Sequence, residues 1–213
     1  MRANALLNRM TMKLSQLVIL LTITFVIVSC TTTSFDTKEE LLTYLQDKDH
    51  GYLHEKSVNG YDFSLLYKPT DMLVDQELSD TYTKEDVEKL RNKYKKYLYF
   101  TLSMSRGNKE LLSTTPRNRQ EFGAMVNELA FGMDKKVHVF TPQKDTLELL
   151  DYVYPRMYGM SRATTMLFVY PRDEEFLKEE YLNITVGDLG TYTGEVKFKV
   201  QTKQIKNEPQ IKF

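Results

Sequence analysis

The sequence predicts an α+β protein, mainly an antiparallel β-sandwich of seven or eight strands decorated with three or four helices. Three observations predict it. Asn59-Gly60 stands between two strand-like runs, "YLHEKSV" and "YDFSLLYKP", and Asn-Gly accepts the positive φ of a type I′ hairpin turn. Near the end of the chain, Val196, Phe198 and Val200 alternate with Lys197, Lys199 and Gln201, the period of a half-buried strand. Between these regions Phe122, Met125, Val126, Leu129, Ala130 and Met133 recur at helical spacing and form one apolar face. Sheet-on-sheet packing is favoured. A single twisted antiparallel sheet with helices on one face is the alternative.

Taken in order, the first helix starts at Thr37, where "TKEE" is a capping box with Glu40 at the third helical position. Leu41, Leu42 and Leu45 supply its apolar stripe, and Gly51 is its stop. The Asn59-Gly60 hairpin follows, with Tyr61, Phe63 and Leu65 on one face, and Pro69 ends its second strand. A short helix is expected from Thr70. A longer one starts at Thr83, whose "TKED" is a second cap, and carries Val87, Leu90 and Tyr94 at helical spacing. It leads into a strand with Leu98, Phe100, Leu102 and Met104 on one face. Asn118 caps the helix of the long apolar face. Strands are then expected in "KVHVFT", "TLELLDYVY" and "ATTMLFVY". The last is apolar without a break from Met166 to Val169, which places it centrally in a sheet. "DEEFLKEE" reads as a surface helical turn, and "YLNITV" and "GEVKFKVQTKQ" as the final strands, the lysines of the latter guarding a sheet edge.

Composition narrows function. The chain has 213 residues, with 29 Lys+Arg and 29 Asp+Glu. Arg2, Arg9 and Lys13 precede Cys30 and no acid does, so the remainder carries three more acids than bases. That is no footprint for nucleic acid, which requires a basic face. One cysteine excludes an internal disulfide and a multi-thiolate metal site.

That cysteine closes an apolar run. Leu17 to Val28, "LVILLTITFVIV", has twelve residues, short of the roughly 20 a spanning helix needs. With the basic residues before it, and a start at Met1, Met10 or Met12, it has the layout of a secretory signal. The exit, Ile27-Val28-Ser29-Cys30, resembles the lipobox of bacterial lipoproteins. The resemblance covers residues 1–30 only. It implies that the Cys30 thiol receives diacylglycerol, that signal peptidase II cuts between Ser29 and Cys30, and that the new amino group is acylated. Thr31 rather than Asp after the cysteine points, by the sorting pattern of that family in enteric bacteria, to the outer membrane. The expected organisation is a signal peptide over 1–29, a lipidated tether over 30–36 and a single domain over 37–213.

Catalytic signatures are sparse. His50 and His54 are four apart, but Gly51 between them breaks the helix that would let them share a metal. His138 in "VHVF" has no nucleophile motif beside it, and no G-x-S-x-G or S-x-x-K occurs. Glu174-Glu175 and Glu179-Glu180 read as a solvated face, and "GDLG" as a turn. No catalytic residue, metal site or cofactor is expected. The distinctive stretch is "YVYPRMYGMSR", Tyr152 to Arg162, rich in the residue types enriched at interfaces. Tyr154, Arg156, Met157, Tyr158, Met160 and Arg162 are its candidate contacts, with Arg156 and Tyr158 expected to face solvent. The competing expectation puts Tyr152 and Tyr154 in the core, with Met157 and Met160 plugging the end of the sandwich.

These features point to an envelope protein anchored in the membrane through lipid on Cys30, acting as an interaction or scaffold module for another envelope protein, as accessory lipoproteins of envelope machines do. A glycan- or ligand-binding lipoprotein, and a hydrolase with an unrecognised site, are the alternatives.

Overall fold

The computed structural model describes residues 33–213. The apolar run, the lipobox and Cys30 lie outside the described residues. The fold is mixed α and β, with its sheets antiparallel. A five-stranded sheet has the order β2-β3-β4-β8-β7: Leu53–Val58, Tyr61–Tyr67, Tyr97–Ser105, Thr164–Pro171 and Asp151–Val153. A four-stranded sheet has the order β10-β9-β5-β6: Val196–Gln201, Tyr181–Val186, Val137–Phe140 and Thr146–Leu147. All neighbours in both sheets are antiparallel. A parallel pair joins the two ends of the described chain, β1 (Ser34–Phe35) and β11 (Gln210–Ile211).

The hairpin forms where the sequence placed it. Asn59 and Gly60 both take positive φ, 52° and 76°, the backbone of a type I′ turn. β3 then alternates strictly, burying Tyr61, Phe63, Leu65 and Tyr67. Leu98, Phe100, Leu102 and Met104 of β4, with Met166, Phe168 and Tyr170 of β8, continue that buried face. Val137, Val139, Leu182, Ile184, Val186, Val196, Phe198 and Val200 of the smaller sheet belong to the same core cluster. The Tyr170 hydroxyl ties the sheets by donating to the Val137 carbonyl at 3.2 Å. β10 is an edge strand with Lys197 and Lys199 exposed, as its alternation implied.

Seven helices are present among the described residues, more than expected, because several are a single turn. They are α1 (Lys38–Gln46), α2 (Thr70–Glu77), α3 (Lys84–Tyr94), α4 (Leu111–Thr114), α5 (Arg119–Phe131), α6 (Glu174–Leu177) and α7 (Thr202–Lys206). The caps behave as the sequence implied. Thr37, Thr83 and Asn118 each accept a backbone N–H from the third helical residue. At α1 the Glu40 carboxylate takes the N–H of Asp36 rather than that of Thr37. No helix among the described residues is long and apolar enough to cross a membrane.

Several expectations are corrected. Eleven strands are present among the described residues, not seven or eight. "TLELLDYVY" is two short strands in different sheets, β6 and β7, because the chain crosses from one sheet to the other at 148–150. β8 is fourth in its sheet, and β4 is the middle strand. The unbroken apolarity of β8 reflects an outer face, Leu167 and Val169, that is half-buried against the core. "GEVKFKVQTKQ" leaves the strand at Gln201 and turns into α7. α5 buries Met125 and Leu129, while Phe122 is exposed. Ser34 and Phe35, read from sequence as tether, form β1: Gln210 N donates to Thr33 O and Lys212 N to Phe35 O, both at 2.9 Å.

Charged groups fasten that end. Arg91 makes a bidentate pair with buried Asp71, Nε to Oδ1 at 2.8 Å and Nη2 to Oδ2 at 2.7 Å. The same Oδ2 accepts Ile211 N at 2.8 Å, and Arg91 Nη2 donates to Ile211 O at 2.9 Å. Glu208 accepts from the Tyr67 hydroxyl, from the N–H and hydroxyl of Thr70, and from Arg172. All of these groups cluster beyond Tyr67 and Pro171, at one end of the five-stranded sheet.

Candidate functional site

The candidate interface lies at the other end of that sheet. It precedes Thr164, whose β4 partner is Met104, near Ser105 and Asp62. β4 separates the two ends by nine residues, roughly 25–30 Å at strand rise.

β7 ends at Val153, and Pro155 cannot continue the ladder. The chain then makes a tight turn. Tyr158 and Gly159 both adopt positive φ, 54° and 85°, and Met160 N donates to Met157 O at 3.0 Å. A tyrosine with left-handed backbone is strained and persists only where its surroundings hold it. Glu110 does so. Its side chain is 2% exposed, and its carboxylate accepts Gly159 N at 3.0 Å and Ser161 N at 2.9 Å. Glu110 is itself fixed by an isolated bridge to Ser105, and the next residue, Leu111, donates its N–H to Thr164 Oγ1 at 3.0 Å.

The tip projects apolar groups. Met157, Tyr158 and Met160 are 43%, 74% and 78% exposed. This settles one point between the two expectations: the methionines plug nothing. Tyr152 and Tyr154 do pack against the core, half-buried, Tyr152 stacked on Phe168 at 5.8 Å. Burial, helped by the negative charge of Glu110, raises the Tyr154 phenol above its ordinary value, and Arg156 works the other way. Tyr158 faces solvent as expected, whereas Arg156 is half-buried. Its guanidinium sits 4.8 Å from the Tyr158 ring centre and 5.9 Å from that of Phe122 on α5, so the cation joins the loop to the helix. Arg162 is exposed. Arg156 Nε and the hydroxyls of Tyr152 and Tyr154 are buried without a hydrogen-bond partner.

Glu110 escaped the sequence reading. Its signal is faint, an acid between the Gly107-Asn108 turn and the apolar Leu111-Leu112. The remaining candidates are dispersed. His50 closes a single 3₁₀ turn, stacked on Tyr44 and bonded through Nδ1 to Tyr44 O at 2.8 Å, while His54 lies beyond Gly51 in β2. His138 is exposed on β5, and Glu175 pairs with Lys178 on the surface.

No family model matches the chain, and no curated protein matches it. Among solved structures, the chain is similar to a protein of unknown function from Burkholderia pseudomallei, at 9% identity over 77% of this chain and 83% of that one, with a TM-score of 0.39.

Proposed function

We propose that this chain is a lipid-anchored envelope protein that docks another envelope protein through the Tyr154–Arg162 loop, on a β-sandwich scaffold decorated with helices. One shared core beneath the inward faces of the two sheets supports the sandwich. The lipid anchor rests on the Ile27-Val28-Ser29-Cys30 exit and Thr31. In this reading Cys30 precedes β1 by four residues, a reach of at most about 14 Å. The β1/β11 end would then sit near the bilayer, with the loop end facing away from it toward the partner.

The observation that carries the docking role is the fixed, exposed tip. Tyr, Met and Arg side chains are presented on a backbone pinned by Glu110. A preorganised tip loses little conformational freedom on binding, which is where affinity is gained. The test is Tyr158→Ala/Met160→Ala in the full lipidated chain, captured with its partners in mild detergent. Loss of specific partners with an unchanged melting temperature supports docking. Unchanged partners overturn it.

A further inference from the structure

A cleft of about 460 Å³ opens at the same end of the large sheet as the loop. Its floor is apolar, made by buried Tyr61, Met125, Leu129 and Leu189. Its rim is polar and is assembled from separate pieces of chain: the β2–β3 turn, the residue after β4, the α4–α5 junction and the β9–β10 loop.

Three features of the rim point to a ligand. The first is charge. Arg117 is bonded twice to Glu121, at 2.9 and 3.1 Å, and Glu128 pairs with Lys136 at 3.4 Å. Arg106 is left over. It stacks 5.1 Å from the Tyr61 ring centre and reaches the Tyr61 hydroxyl at 3.4 Å, with no carboxylate partner among the described residues. The second is Thr115, a lining residue whose hydroxyl is buried without a hydrogen-bond partner. The third is Tyr192, 75% exposed at the mouth and held at φ 55°. Its loop is built to hold that backbone. Asp188 accepts the N–H groups of Gly190, Thr191 and Gly194, and Asn59 Nδ2 donates to Thr191 O and Tyr192 O. Strained, over-determined backbone of this kind collects at binding sites.

We propose that the cleft binds a small amphipathic monocarboxylate. Its apolar body lies on Met125, Leu129 and Leu189, its carboxylate is taken by Arg106, and Thr115 supplies a neutral hydrogen bond. A single uncommitted guanidinium suits one negative charge. A dianionic phosphate would meet the Glu121 and Glu128 carboxylates on the same rim. The assignment is independent of the lipid anchor and of the docking loop.

The experiment uses the full chain in lipid nanodiscs with methyl-labelled methionines, titrated with phenylacetate and with its neutral isostere phenylacetamide. Phenylacetate is expected to shift the Met125 methyl and leave Met157 and Met160 unmoved. Phenylacetamide should bind about tenfold more weakly, the loss of a charge-assisted bond. Arg106→Gln should bring phenylacetate down to the affinity of the amide. Ala124→Trp, at an exposed α5 position that lines the cleft, should abolish binding of both at an unchanged melting temperature. No shift at Met125, shifts at Met157 and Met160 instead, equal binding of the two probes, or an Arg106→Gln variant that binds phenylacetate as the parent does would each overturn the proposal.

Discussion

The two ends of the five-stranded sheet solve opposite problems. At the Tyr67 end, Asp71, Arg91, Glu208 and Arg172 are buried or half-buried charges, and each is bonded to chain that arrives from far away in sequence. At the Asp62 end, apolar tips stand in solvent, Arg156 Nε and the Thr115 hydroxyl are buried without partners, and Tyr158 and Tyr192 carry positive φ. His54 Nε2 and Gln204 Oε1, nearer the Tyr67 end, are also buried without partners. The ion pairs of the joint are satisfied, however, and unsatisfied groups mark places where a protein can bind something. On the docking role proposed for the loop, stability and recognition are kept apart along β4, so substitutions at the two ends should fail in different ways.

The largest effect is expected at the joint. Asp71→Ala leaves Arg91 half-buried and the Ile211 N–H without its acceptor, and should cost about 3–5 kcal/mol. Thermal unfolding checks this, with early loss of hydrogen-exchange protection at β11. Glu110→Ala comes next. It leaves the N–H groups of exposed Gly159 and half-buried Ser161 without their acceptor, and should cost about 1–2 kcal/mol. Faster amide exchange at those two residues would place the damage in the loop. Equal loosening at β11 would break the distinction between the ends. Substituting the tip itself, Tyr158→Ala/Met160→Ala, should change stability by less than about 0.5 kcal/mol.

The smallest effect is a pH dependence at His54, which pairs with Leu65 near the Tyr67 end. Burial lowers the His54 pKa below its ordinary 6.5, partly offset by its bond to the Gly51 backbone. Below that ordinary value the unfolded chain takes up a proton that the folded chain refuses. As pH drops below 6.5 stability therefore falls, and it levels off once the folded pKa is passed; above 6.5 this group has no effect. His54→Gln should flatten that portion of the stability–pH curve, as chemical denaturation across mildly acidic pH would show.

What the sequence disclosed follows the same divide between near and far. Asn59-Gly60, the caps at Thr37, Thr83 and Asn118, and the alternation of β3 and β10 are set by neighbours within a few residues. Each was legible for that reason. β1 and β11 are two residues long and join the ends of the described chain, so neither carries a periodic signal. β6 and β7 share one apolar run, and only the tertiary fold sends them to different sheets. At the candidate site, residue types marked the loop, and Pro155 and Gly159 marked its turn. The group that fixes it, Glu110, lies 49 residues from Gly159. A lone acid at that distance leaves no pattern to read. Arg156 was misplaced for a related reason, since its stacking partner Phe122 comes from a separate helix.

The most direct test of the division is photocrosslinking from both ends in cells that make the full chain. The benzophenone amino acid p-benzoylphenylalanine would replace Tyr158 in one strain and Lys212, exposed beside β11, in another. Specific protein adducts from position 158 and none from position 212 are the predicted result. Adducts from position 212 alone, or from neither position, would contradict a molecule that binds its partner at the loop end.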